Sequence, residues 1–256
     1  MPRENHPATK LRVGCAGWFY WHWKGIVYPT DIPTKEWFQF YAQQLDTVEI
    51  NATFYRWPRK STVKSWDKVA PEQFVYSIKV NQDITHRKRF QGTKRLIKKF
   101  YDTIAPLQNK LGCVLFQLPP SFKYSEAKLE AILTQLDPNF TNVIEFRHES
   151  WWTDAVWKVL DQAGVIFCSI SAPRLPNDLI SCNGKLYIRF HGSSRWYRHD
   201  YTSEELERWA ERIVNAKPKE VWAYFNNDFR GCAFRNAIQL RQILQERFRC
   251  GEPSEK

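Results

Sequence analysis

At 256 residues, with 43% hydrophobic and 25% charged side chains, the chain can build one large or two small globular domains and is too apolar to be disordered. Thirty-eight Lys and Arg stand against 27 Asp and Glu, a net charge of +11 that favours anionic partners, small molecules or nucleic acid. The opening MPRENHPATK has no apolar core, no window approaches the ~18 apolar residues of a membrane span, and the six cysteines include no C-x-x-C pair, so the sequence reads as a cytoplasmic protein with reduced cysteines and no membrane partner.

Strand-like runs then alternate with helix-length amphipathic stretches from end to end. LRVGC (11–15) precedes a helix from about Thr34, DTVEIN (46–51) one from about Ser61, and FVYSIKV (74–80) a long basic helix from about Gly92. GCVLFQL (112–118) precedes a helix capped by Ser125, and NVIEF (142–146) one that starts at a Thr cap and stops at a Gly. VIFCSI (165–170), KLYIRFHG (185–192) and EVWAYFN (220–226) complete the series, and Thr202-Ser203-Glu204-Glu205 forms a capping-box string before the seventh helix. Eight strands with crossover helices predict an α/β fold, a single (β/α)8 TIM barrel with parallel inner strands and outer helices. No linker or low-complexity tract divides it, so the barrel is expected over 11–248, between disordered tails at 1–10 and 249–256.

Chemistry in such a barrel sits at the C-terminal ends of the strands, and nearly every predicted strand ends in a polar or ionisable residue. Alternation places Glu49 with Asn51, Glu145 with Arg147, Arg189 with His191, and Tyr224 with Asn226 and Asp228 on shared faces, while Lys79 and Gln117 close the third and fourth strands. Burying charge costs several kcal/mol unless it is paired, so Glu49, Glu145 and Asp228 are expected to oppose Lys79, Arg147 and Arg189. Glu49, Glu145, His191 and Asp228 are the candidates for proton transfer, His191 foremost because imidazole titrates near neutrality. Asn51, Tyr55, Lys79, His86, Gln117, Arg147, Arg189, Asn226 and Trp18 are the candidates for holding substrate. The four acid/base residues also suit a divalent metal, but two guanidiniums beside them disfavour one, and no metal ligand is assigned. No P-loop, G-x-G-x-x-G, H-E-x-x-H or G-x-S-x-G occurs, so no organic cofactor is indicated.

With 12 Trp, 11 Tyr and 17 Phe the chain is rich in flat faces. Many of them, including Trp18, Tyr20, Trp21, Trp23, Phe54, Tyr55, Trp57, Trp151, Trp152, Trp196 and Tyr197, follow the strand ends with arginines between them. That pattern suits stacking of a nucleotide, a single strand or a sugar.

The strings GCAGW (14–18), TVEINATFYRWP (47–58), ITHRKRF (84–90), FQLPPSF (116–122), EFRHESW (145–151), YIRFHG (187–192) and YFNND (224–228) together resemble the domain of unknown function 72, or YecE-like, family, in order from about Val13 to Leu244. The resemblance implies a TIM barrel and implies no reaction. Its motif positions fall here on Glu49, Asn51, Thr53, Tyr55, Lys79, Thr85, His86, Gln117, Glu145, Arg147, His148, Arg189, His191, Asn226, Asn227 and Asp228. Ala16 and Ala52 stand where Ser is common in the family, and Ser171 where relatives carry Asp. Three functions fit these residues: an acid/base enzyme, hydrolase-like, acting on a phosphorylated, nucleotide or nucleic-acid substrate at the mouth; a non-catalytic nucleic-acid-binding protein; and a carbohydrate-active barrel with paired carboxylates. No protein partner is predicted.

Overall fold

The structure, a computed structural model, describes residues 9–250. Eight parallel strands, β1 (Lys10–Cys15), β2 (Thr47–Ile50), β3 (Val75–Lys79), β4 (Leu111–Gln117), β5 (Thr141–Glu145), β6 (Ile166–Ser171), β7 (Lys185–Phe190) and β8 (Glu220–Phe225), pair in sequence order. The ring closes where β1 meets β8, with Lys10 to Cys15 in register with Glu220 to Phe225. Outside it lie α1 (Trp37–Gln44), the single turn α2 (Ala52–Tyr55), α3 (Lys60–Val69), α4 (Lys94–Ile104), α5 (Glu126–Leu133), α6 (Asp154–Gln162), α7 (Ser203–Asn215) and α8 (Cys232–Cys250). The tails expected at 1–10 and 249–256 lie mostly outside the described residues; where they are described, Lys10 opens β1 and α8 runs on to Cys250.

The helix starts follow from local chemistry. Ser125, Thr153 and Thr202 each accept a backbone N–H of the first turn, and at α7 the reciprocal bond from Glu205 completes a capping box. Gly164, at φ +68°, turns the chain out of α6 into β6. The sixth crossover is the exception. Residues 172–184 carry Pro173 and Pro176, and the stretch joins β6 to β7 with no α-helix, held instead by the Ile180 N–H on Ser169 Oγ and a bridge between Cys182 and Lys185.

Alternation along the strands divides the core. Val13, Val48, Ile78, Phe116, Ile144, Phe167, Ile188 and Phe225 face the helices, whereas Val75, Cys113, Leu115, Val143, Ile166, Cys168, Trp222 and Tyr224 fill the barrel. Inside, the Tyr224 hydroxyl bonds Thr47 Oγ1 at 2.7 Å and Ser77 Oγ at 2.9 Å. Above this layer, towards the C-terminal ends of the strands, the interior becomes ionic.

Candidate active site at the C-terminal mouth of the barrel

β2, β5 and β7 each turn an ionisable residue inward near the C-terminal end of the strand, Glu49, Glu145 and Arg189. Arg189 lies at the centre. Its Nη2 and Nε donate to Glu49 Oε1 at 2.7 and 3.1 Å, and its Nη1 donates to Glu145 Oε2 at 2.5 Å; none of the three side chains reaches solvent. Tyr187, two residues before Arg189 and on the same face, donates to Glu49 Oε2 at 2.6 Å. Arg147 closes the circuit from above, its Nε on Glu145 Oε1 at 2.5 Å, its Nη2 3.3 Å from His191 Nε2 and its Nη1 on the Tyr197 hydroxyl at 3.1 Å. Asn226 meets His191 Nδ1 at 3.2 Å, and Asn51 Oδ1 lies 3.5 Å from Arg189 Nη2.

These pairings fix the protonation states. Burial raises the Glu145 pKa, but Arg147, Arg189 and His191 outweigh it and hold the carboxyl well below the usual range. Burial would strip the Arg189 charge, and Glu145 and Glu49 keep it in place. His191 is fully buried beside Arg147, and its pKa falls to about 3, so it is a neutral imidazole that accepts from Arg147 at Nε2. Both oxygens of each carboxylate are therefore committed to donors, and Glu145 holds no proton to give.

Lys79 is different. Its ammonium lies 4.0 Å above the Phe54 ring and makes no hydrogen bond or ion pair with any described residue, although the side chain is only 7% exposed. The amine nitrogen keeps some contact with solvent. Burial and the neighbouring Arg189 push its pKa down to about 7, against the opposing pull of Glu145 and Glu49. His86 packs edge-on against the same Phe54 ring, 4.8 Å between centroids, with its Nε2 3.5 Å from Gln117 Nε2, and burial together with Lys79 lowers its pKa to about 4. The loops that hold these groups are tied by Thr53, which donates to the Lys79 carbonyl at 2.6 Å, and by Asn81, which donates to the carbonyls of Thr53 and Phe54.

Glu49, Glu145, Arg147, Arg189, His191, Asn51 and Asn226 thus converge in one bonded network, with Lys79, His86 and Gln117 beside it. Asp228 does not join them. β8 ends at Phe225, so the i, i+2 alternation has lapsed by Asp228, whose carboxylate faces His22 at 3.3 Å beside a separate cavity of about 400 Å³ shared with Tyr197, Arg198, Phe229 and Arg230. Trp18 packs edge-on against Phe38, and Tyr55 is 74% exposed. The aromatic fringe divides: Trp23 and Trp151 are fully buried, the latter stacked on Phe146 at 3.9 Å, whereas Trp21 and Tyr197 are exposed. Trp196 does cover the site, 5.1 Å from the Arg147 guanidinium and 5.5 Å from the His191 ring. His148, which shares the Phe146 face, accepts the Ser150 N–H at the start of the next turn. Ser171 bonds the Tyr201 hydroxyl, pointing away from the mouth. Among the described residues no group of three or more His, Cys, Asp or Glu is arranged to hold a metal ion. Tyr187 was not among the sequence candidates; its position two residues before Arg189 is the signal that marks it.

A family profile described as protein of unknown function DUF72 matches residues 12–256. The UPF0759 protein YunF of Bacillus subtilis is 25% identical over 91% of this chain and 94% of its own length. The UPF0759 protein YecE of Escherichia coli is 27% identical over 44% of this chain and 42% of its own length. A crystal structure of a DUF72 family protein from Thermotoga maritima superposes with a TM-score of 0.83 at 27% identity, covering 92% of this chain and 99% of that one. A second such protein, from Enterococcus faecalis, shares the fold with a TM-score of 0.76 at 22% identity, covering 92% of this chain and 95% of that one.

Proposed function

Because the chain belongs to the DUF72 family, a family described without a reaction, its activity has to come from its own site, and we propose that it is an enzyme carrying out acid/base chemistry on a small anionic substrate, a phosphorylated compound foremost, at the C-terminal mouth of the barrel. One observation carries this reading: within the buried layer Arg189, Arg147 and Lys79 stand against only Glu49 and Glu145, and the surplus cation, Lys79, has no partner among the described residues. An unpaired buried charge is costly, so an anion entering the mouth relieves it. A group poised near neutrality is also suited to both accept and return a proton. Glu49, Glu145 and Arg189 serve that chemistry by fixing the field around Lys79, while His191 stays neutral as a hydrogen-bond partner of Arg147. The carbohydrate reading loses support, because a glycosidase needs its carboxyl pair free to reach the sugar, and every oxygen of Glu49 and Glu145 is already bonded to a guanidinium or the Tyr187 hydroxyl. A reducing compartment suits the five free, buried thiols of Cys15, Cys113, Cys168, Cys182 and Cys232, and no described helix is long and apolar enough to cross a membrane.

The test is a thermal-shift screen at pH 7 of the wild type and Lys79→Met against inorganic phosphate, sugar phosphates, nucleotides and short oligonucleotides. A small anion should raise the wild-type melting temperature and leave Lys79→Met unmoved. A shift confined to oligonucleotides, equal in both proteins and erased by salt, would overturn the enzyme in favour of binding through the basic surface.

A further inference from the structure

Resting on that reading and sharpening it, we infer that Lys79 is a carbonyl-reactive lysine, and that the substrate is an aldehyde or ketone bearing an anionic group, captured at Nζ as an imine.

The argument begins with what Lys79 does not do. A lysine kept for structure is held by a carboxylate, as Lys110 is by Asp67 at 3.7 Å and Lys98 by Asp102 at 3.2 Å. Lys79 ends β3 within a layer already rich in guanidiniums, both carboxylates of that layer are taken by Arg189 and Arg147, and its amine faces only the Phe54 ring. A methionine would fill the same space with no charge to desolvate, so packing alone does not account for the amine. Desolvation with like charges nearby is the arrangement that converts a lysine into a nucleophile, because it favours the free amine over the ammonium. The direction of its titration, down to about 7, agrees with that placement.

The site also supplies what an imine requires. Phe54 shields one side of the amine, and Trp196 lies over the Arg147 end of the layer. His86 packs against the same ring and is neutral at pH 7, so it adds no charge beside the amine, and an amine lowered to about 7 gives up its proton to water. The step balances without any oxidant or reductant. The free amine adds its electron pair to the carbonyl carbon, one amine proton passes to the carbonyl oxygen to give a carbinolamine, and that hydroxyl leaves with the second amine proton as water as the C=N bond forms. The Arg147 and Arg189 charges that depress the Lys79 pKa also favour the approach of an anionic carbonyl compound over a neutral one.

The experiment is borohydride trapping on the full-length wild-type protein at pH 7, with pyridoxal 5′-phosphate as a probe that carries both a carbonyl and a phosphate, and glycolaldehyde as a smaller one, followed by peptide mass mapping. An ordinary lysine, with a pKa of about 10.4, is almost wholly protonated at this pH, so Lys79 should be labelled at least about tenfold faster than the surface lysines. Excess inorganic phosphate should slow that labelling. If neither probe modifies Lys79 ahead of exposed lysines while phosphate still raises the melting temperature, the imine is overturned and the anion site stands. If Lys79 is labelled first but phosphate neither protects nor stabilises, the imine stands and the anion reading fails. The measurement needs no variant, so it does not depend on whether Lys79→Met folds.

Discussion

Arg189 Nη1 lies 2.5 Å from Glu145 Oε2, and neither side chain reaches solvent. The same guanidinium bonds Glu49 at 2.7 Å, so a single residue of β7 ties β2 and β5 together across the inside of the barrel. Such a bridge adds little net stability over an apolar core of the same volume, but removing one member is costly because the others are left charged and enclosed. It also has an electrostatic consequence: by occupying both carboxylates it leaves Lys79 without a counter-ion among the described residues.

Replacing Arg189 by Met leaves the buried Glu49 with no cation, only the Tyr187 hydroxyl, and leaves Glu145 with Arg147 alone. A loss of about 3–5 kcal/mol is expected, which for a chain of this size corresponds to a melting temperature lower by roughly 10 °C or more. Scanning calorimetry of the variant checks this; a change of only a degree or two would mean that Glu49 and Glu145 do not depend on Arg189.

On the alkaline side, Lys79 makes stability rise with pH. Its folded pKa, about 7, lies below the ordinary value of 10.5, so between these values the unfolded chain binds more protons and raising the pH favours the folded state. The charged groups acting on it are Arg189, Arg147, Glu145 and Glu49, with His86 against the same ring. Buried Cys15, Cys113 and Cys168 oppose this trend, because their raised pKa values withdraw stability as the pH climbs past 9. The contrast must therefore be taken against Lys79→Met: between pH 7.5 and 9.5 the urea midpoint of the wild type should gain on that of the variant, and parallel curves would contradict the depressed pKa.

On the acid side, three groups act together: Glu145, His191 and His86, the last lowered to about 4 and so losing stability over the same range as His191. Glu145, held well below the carboxylate range, contributes stability that is present above about pH 4.5 and is lost as the pH falls through its folded value. His191 stays neutral down to about pH 3, whereas an unfolded histidine takes up its proton near 6.5, so stability declines through that window as well. His191→Asn should flatten the decline between pH 6.5 and 4.5, above the carboxylate range, as read from denaturant midpoints. A variant that tracks the wild type would mean that His191 is not held neutral.

Glu145 and Asp228 should behave differently towards Lys79. Glu145 raises the Lys79 pKa, whereas Asp228, paired with His22 outside the layer, is not among the strongest influences on it. Glu145→Gln should therefore move the Lys79 titration below about 7, while Asp228→Asn leaves it in place. Carbon-13 spectra of the reductively methylated amine report the titration directly; equal shifts in both variants would place Asp228 inside the layer after all.

Much of this protein is legible in its sequence. Strand runs alternating with capped helices suffice to specify eight parallel strands, because a period of two and a period of 3.6 cannot be exchanged and because Ser125, Thr153 and Thr202 mark where helices begin. The same period of two places Glu145 with Arg147 and Arg189 with His191 on the inner face, and the fold class places that face at the mouth. Alternation reaches only as far as the strand does. β8 stops at Phe225, and Asp228, spaced as though it belonged to the inner face, turns to His22 instead. Which charges pair was decided by closure of the barrel, since Arg189 meets Glu49 and Glu145 only once β2, β5 and β7 stand around a common axis. Burial was decided there too: Trp23, Phe54 and Trp151 of the aromatic fringe turned into core while Trp21, Tyr55 and Tyr197 stayed exposed, and Lys79, one of several strand-end charges in the sequence, became the amine with no partner among the described residues. The sequence determines which chemical groups line the mouth, because facing is a local property of the backbone. Only the tertiary structure decides their partners and proton affinities, because both depend on distances between residues far apart in the chain and on the water that folding removes.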